Sequence, residues 1–198
     1  MKKINHTVRM NHESHLRWLI AGSFFVSIVA AFLSWLFPPD FTKDPPDFPL
    51  PGLLFGQLQT ALIILGSTAL GIKITEEKRI LPAIGFTMLA ISYGVIFVLY
   101  LVSSSKESIE ETYKLFGASL FLLIPSALLI ARYSNFPKWV NVLTALYYVP
   151  WIIEVVLFFS NGNKATEIGG AIDFIGQLTF NVVVFAWGII TLKRKTTV

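Results

Sequence analysis

Cysteine is absent from the 198-residue chain. With it go disulfide frameworks, thiolate metal sites, cysteine nucleophiles and iron–sulfur clusters. Histidine is nearly as scarce: His6, His12 and His15 all precede the first apolar run, so no span offers an imidazole to haem or zinc. Charge is thin as well. Asp, Glu, Lys and Arg make up 14% of the residues, against about 25% in an ordinary soluble domain. No phosphate-binding glycine loop and no dinucleotide fingerprint occurs, and nothing calls for a cofactor. What the chain holds instead is apolar: 54% of residues are hydrophobic, 14% are aromatic, and mean hydropathy is +0.65. A soluble fold of this size has nowhere to hide so much apolar surface.

A helical crossing needs about 20 mostly apolar residues. Six stretches qualify, at about 18–37, 53–74, 80–102, 115–131, 139–160 and 171–192. They predict an all-α, polytopic membrane protein, one bundle of six transmembrane helices over residues 1–198, with no separate soluble domain. The lipid bilayer is therefore its first partner. Lys2, Lys3, Arg9 and Arg17 ahead of the first run imitate a signal peptide. The run is too long for one, however, and Pro38-Pro39 follows where a small-residue cleavage site would stand, which predicts a retained helix.

Lysine and arginine set the expected direction. The N-terminal tail, the second and fourth loops and the C-terminal tail together carry twelve, among them Lys73, Lys78, Arg79, Arg132, Lys138 and Lys193. The alternate loops carry four: Lys43, Lys106, Lys114 and Lys164. Both termini are thus expected in the cytoplasm of a cell that places this chain in its plasma membrane, a bacterial inner membrane by the general character of the sequence. The same dispersal argues against nucleic acid as a partner, since no basic stripe is interleaved with stacking aromatics.

The first external loop, residues 37–52, reads FPPDFTKDPPDFPLPG. Its prolines fix φ and remove donors, predicting a stiff, extended connector. Asp40, Asp44 and Asp47 would let it cap an outward opening or meet a cation, but calcium wants more oxygen ligands, so a solvated connector is the plainer reading. The third external loop, residues 160–170, is rich in turn residues. A division into two inverted halves of three spans would fall in the loop 103–114, but the halves share no convincing similarity.

Within the spans one ionisable residue stands out. Glu154, in YYVPWIIEVVLFF, sits about 7 Å outward of the midplane at ~1.5 Å per residue. Basic residues cluster at the span ends, leaving it no obvious ion-pair partner. An intramembrane carboxyl is a functional hypothesis by default: it is protonated, faces water, meets a cation, or pairs with a charge from another subunit. Asn141, Thr144, Tyr147, Trp151 and Glu154 share one face of the fifth helix at intervals of three and four. Asp173, Gln177 and Asn181 recur on the sixth, and Gln57, Thr60, Ser67 and Gly71 on the second. If these faces converge they line a polar pocket, with Glu154, Trp151, Tyr147, Gln57, Gln177 and Asn181 as its candidate ligand-binding residues. Taken singly, the amides fit helix-bridging roles at about 0.6–2 kcal/mol per contact. Pro150 is expected to kink the fifth helix and free the carbonyl of Leu146, and Pro125 to do the same to Phe121 in the fourth.

Gly52 with Gly56, and Ala90 with Gly94, have the spacing of close-packing helix contacts. Trp18, Trp35, Trp139 and Trp187 lie toward span ends, as an interfacial belt predicts. His12-Glu13-Ser14-His15 resembles a metal pair but lacks further ligands, so a polar tail is expected. Paired intramembrane aspartates and a Ser–His dyad are both missing, with Asp173 alone at a span edge, which disfavours catalysis.

Two readings of function remain. One is a small membrane protein that binds or transports a small ligand, cationic or proton-coupled, in a pocket around Glu154. The alternative is a non-catalytic subunit, assembly factor or sensor that pairs with another membrane protein or with its own copies. For that, the terminal Thr196-Thr197-Val198 offers a carboxylate-capture ligand.

Overall fold

In the computed structural model the described residues are 2–38, 40, 47, 49–103, 109–161 and 166–193; the side chains of 2–12, 100, 102, 103, 109, 161 and 166–170 are not among them. Asp44, Lys43, Lys106, Lys164, much of the turn-rich loop at 160–170, Thr196-Thr197-Val198 and the side chains of His6 and His12 therefore lie outside the description. The described residues form helices α1 (Lys2–Trp35), α2 (Leu50–Glu76), α3 (Ile80–Ser103), α4 (Ile109–Ile130), α5 (Lys138–Leu146), α6 (Val149–Asn161) and α7 (Thr166–Lys193). Six segments are long and apolar enough to cross a membrane, α5 and α6 together supplying the fifth.

α1 packs on α2, α2 on α3 and α3 on α4; α4 meets both α5 and α6, α7 lies against both of these, and α7 closes the ring against α1. The outward surface is oily: Val29, Leu65, Ile72, Ile91, Val156 and Phe185 are exposed, and Phe121 is 83% exposed. Such a surface suits lipid, where burial has no water to escape from.

Two helices depart from expectation. The first does not begin at Trp18; α1 runs back to Lys2. No proline lies in it, and the polar stretch is helical, with Glu13 bonding Arg17 one turn on and Lys73 of α2. Glu13 thus ties this stretch to α2 while Ser14 and His15 are exposed as a polar tail would be, and Lys73 is buried at the end of the bundle opposite the 37–52 loop. The fifth crossing goes further than a bend: its helical pattern is interrupted at Tyr147–Tyr148, which divides it into α5 and α6, although Tyr147 keeps helical dihedrals and its N–H still bonds to the Leu143 carbonyl. Pro150 is the cause. It occupies the second position of α6, where a missing N–H costs nothing, and it can donate nothing to Leu146. Pro125, by contrast, lies inside an unbroken α4.

The turns are specified locally. α2 ends with Lys78 at φ 61°, Lys78 N–H on Thr75 O at 2.9 Å and Arg79 N–H on Ile74 O at 3.2 Å. That is the Schellman arrangement, here with lysine in the left-handed position glycine usually takes. The Tyr133 hydroxyl donates to Glu77 at 2.6 Å, tying the α4–α5 connection to this turn. Asn141 donates to the carbonyls of Tyr133 and Phe136 at 3.3 and 3.5 Å, so it braces the connection.

Aromatic side chains fill the half of the bundle nearer these turns. Trp187 is fully buried, with ring centroids 5.0 Å from Phe86, 5.9 Å from Phe24 and 6.3 Å from both Phe136 and Phe180. This corrects the belt assignment for Trp187. It has belt spacing in sequence, but it lies on the inward face of α7. Trp18 and Trp139 are exposed as a belt requires. Of the small-residue positions, Gly52 meets the Phe37 carbonyl, whereas Gly94 has nothing within 4 Å of an added Cβ. α3 instead approaches α4 closely at Gly85, where a Cβ would lie 2.9 Å from the Ile130 amide nitrogen.

Candidate functional site

At the end of the bundle opposite that aromatic plug lies a cavity of about 510 Å³. Every crossing contributes to its wall: Trp35 from α1, Thr60 from α2, Tyr93 from α3, Tyr113 from α4, Glu154 from α6 and Gln177 from α7. Phe37, Pro38 and Pro49, from the ends of the proline-rich segment, border it too. Asp40 and Asp47 of that segment pair antiparallel, exchanging backbone hydrogen bonds at 2.8 and 3.1 Å, which brings these two positions together where an extended connector would hold them apart.

The face of the fifth crossing is the one its spacing predicts: Thr144, Tyr147, Trp151, Glu154 and Phe158 are all buried. The break at Tyr147–Tyr148 divides their work. Tyr147 packs into the aromatic core, Trp151 belongs to that core and also lines the cavity, and Glu154 lines the cavity.

Glu154 is 8% exposed. Its Oε1 accepts a hydrogen bond from the Tyr113 hydroxyl at 2.9 Å, and its Oε2 has no partner among the described residues. Tyr113 is held in turn by Phe158, one helical turn beyond Glu154, with the two rings stacked 3.9 Å apart at 7°.

A second carboxyl faces the same space. Asp173 Oδ1 accepts the Trp151 indole N–H at 3.0 Å, and Gln177, one turn along α7, also bonds to it. Asp173 therefore does not stand alone at a span edge. The ring order brings α7 beside α6, and Asp173 interacts electrostatically with Glu154. The approach depends on Gly176. A Cβ there would lie 2.6 Å from Trp151 Nε1, so only a bare backbone lets the indole cross α7 to the carboxylate.

Of the six residues expected at the site, Glu154, Trp151 and Gln177 line the cavity. Gln57, Tyr147 and Asn181 do not. Gln57 is half-buried outside the lining, Tyr147 is fully buried in the core, and Asn181 is buried with neither amide atom partnered. On α2 the amide at the cavity is Gln59, two residues on, with Thr60 beside it. Among the polar lining residues, Tyr113 and Gln59 lay on no face expected to converge, and Asp173 lay on such a face but was not among the six candidates. Asp173 carried a usable signal, its four-residue spacing to Gln177, which also lines the cavity.

No lysine, arginine or histidine is among the described residues that line the cavity. The nearest basic residue on α4, Lys114, is half exposed and paired with Glu110 and Glu111 at 2.9 and 2.8 Å. The described residues hold no group of three or more His, Cys, Asp or Glu able to bind a metal ion. Comparison of the chain with protein-family models, with characterised proteins and with solved structures finds no match.

Proposed function

We propose that this chain binds a small cationic ligand in the cavity and carries it across the membrane in exchange for protons, with Glu154 as the principal counter-charge. The observation that carries the reading is the cavity's charge. Two carboxyls, Glu154 and Asp173, face it, and no described basic residue lines it. Within a bilayer such groups demand neutralisation, by a proton or by a bound cation. A ligand that competes with protons for the same carboxyl is a coupled ligand.

Access is the second support. The cavity lies at the end bordered by the 37–52 loop, and the aromatic cluster around Trp187 closes the bundle beneath it. By the distribution of lysine and arginine that end faces outward, with both termini cytoplasmic. A subunit or assembly factor would present polar residues to its partner. Here Thr60, Ser67, Glu154 and Asn181 turn inward instead, which favours the pocket reading.

The test uses wild type and Glu154→Gln, purified in detergent, with melting temperature read against metal cations, organic amines and neutral lipophiles. A cationic class should raise the wild-type melting temperature and leave the variant unmoved. Protons compete for the carboxyl that holds the cation, so the shift should shrink as pH falls. Glu154 is faced by Tyr113 of α4 and Asp173 of α7, and neither supplies a positive charge to blunt that trend. No shift with any compound, in either protein, would falsify the reading.

A further inference from the structure

We infer that the ligand is a protonated arylalkyl amine that donates an N–H to Glu154, rather than a metal ion or a quaternary ammonium. The inference rests on the cation-pocket reading and narrows it to a chemical class.

The first ground is an unmet acceptor. Glu154 is more than nine-tenths buried, its Oε1 is occupied by the Tyr113 hydroxyl, and its Oε2 accepts from nothing among the described residues. A buried carboxylate oxygen without a donor is among the costliest atoms a fold can keep. That atom is closed off from bulk water and, as the side chain stands, from the cavity as well, so a donor reaches it when a ligand in the space that Glu154 lines turns the carboxyl toward itself. A primary, secondary or tertiary ammonium supplies an N–H in a charge-assisted bond. A quaternary ammonium has none to give.

The second ground is the wall. Trp35, Tyr93, Tyr113, Phe116, Trp151 and Phe174 present aromatic surface to the cavity. Aromatic faces attract organic cations and pack edge-on or offset against an aryl group. The Trp151 ring is held in place for such a contact. Its N–H is committed to Asp173 at 3.0 Å, and Phe116 meets it edge-on at 6.0 Å and 75°. An inorganic cation would find little use for such a wall.

The third ground is what the carboxyls already do. Glu154 accepts from a phenol, and Asp173 accepts from an indole and an amide. Those donors occupy lone pairs that a divalent metal would need, and calcium asks for six to eight oxygens. The volume of about 510 Å³ is large for a bare ion. It lies within the roughly 300–1,000 Å³ of small-molecule pockets.

The experiment uses the full chain in lipid nanodiscs and four probes: 2-phenylethylammonium, its N,N,N-trimethyl analogue, 2-phenylethanol and calcium chloride. Affinity is read by titration calorimetry or thermal shift. The primary ammonium should bind at least tenfold more tightly than the trimethyl analogue and the alcohol, with no effect from calcium. Glu154→Gln should cost at least tenfold in affinity for the ammonium and leave the alcohol unchanged. Should that variant fail to fold, the ranking of the four probes on wild type decides by itself. Equal binding of the trimethyl analogue overturns the inference while the cation pocket stands. Stabilisation by calcium alone overturns it in favour of a metal site. Equal binding of the alcohol overturns both readings. If no probe binds, the inference is overturned, and the broader cation panel on wild type then decides the pocket reading separately.

Discussion

At the residue scale the site depends on an atom that is missing. Gly176 leaves room for the Trp151 indole to reach Asp173, and a methyl group at that position would overlap Nε1 at 2.6 Å and Cδ1 at 2.9 Å. Gly176→Ala should therefore force the indole away and break the hydrogen bond. Overpacking a fixed core group costs roughly 1–3 kcal/mol. Gly94→Ala supplies the control, because nothing lies within 4 Å of a Cβ there. In a helix interior alanine gains roughly 0.5–1 kcal/mol over glycine. The two substitutions should thus move thermal stability in opposite directions. A Gly176→Ala protein as stable as Gly94→Ala would show that the indole has room to move and that its bond to Asp173 is dispensable. Sequence could single out Glu154, because a carboxyl deep in an apolar run is conspicuous. It could not show that Asp173 shares the cavity. That fact depends on α6 lying beside α7 and on a glycine whose emptiness matters only once a partner ring is known.

At the element scale the fifth crossing illustrates how a proline is read and misread. Its spacing told which face is buried, and Thr144, Tyr147, Trp151 and Glu154 all lie on it. The break at Tyr147–Tyr148 is stronger than a kink because Pro150 both withholds a donor and starts a new helix. Beyond the break Trp151 and Glu154 of α6 line the cavity, and Trp151 packs back on Tyr147 in the aromatic core. Pro150→Ala should let the two helices merge, giving position 150 an amide that bonds to Leu146. One such bond contributes about 1 kcal/mol net, so the melting temperature should hold or rise slightly. Affinity for a cationic ligand should fall at least tenfold as Glu154 turns with the straightened helix. Hydrogen exchange at the new amide, followed with the binding titration, checks both halves. Rapid exchange at that amide, or undiminished affinity, would mean that the break is set by packing around Tyr147 and not by the proline. Pro125 marks the limit of the rule. It lies within a continuous α4, so a proline alone does not decide whether a helix breaks.

At the scale of the whole molecule, length and hydropathy were sufficient to find six helices long and apolar enough to cross a membrane, because a bilayer leaves a chain few other ways to satisfy its backbone. Their arrangement in a ring was not legible, and neither was the burial of Trp187, whose sequence position suited an interface equally well. Direction rests on charge. Lys73, Lys78, Arg79, Arg132, Lys138 and Lys193 all gather at the end away from the cavity. Anionic lipid and the inserting machinery favour that end on the cytoplasmic side. The absence of native cysteine allows a direct check, since any thiol introduced is the only one present. Ser160, at the cavity end of α6, and Ser134, in the α4–α5 connection, are both exposed. A membrane-impermeant maleimide applied to intact spheroplasts should label Ser160→Cys, and should label Ser134→Cys only after the membrane is permeabilised. The reverse pattern would turn the cavity toward the cytoplasm. Glu154 would then draw its ligand from inside the cell, and the exchange would have to start with an outward-bound cation.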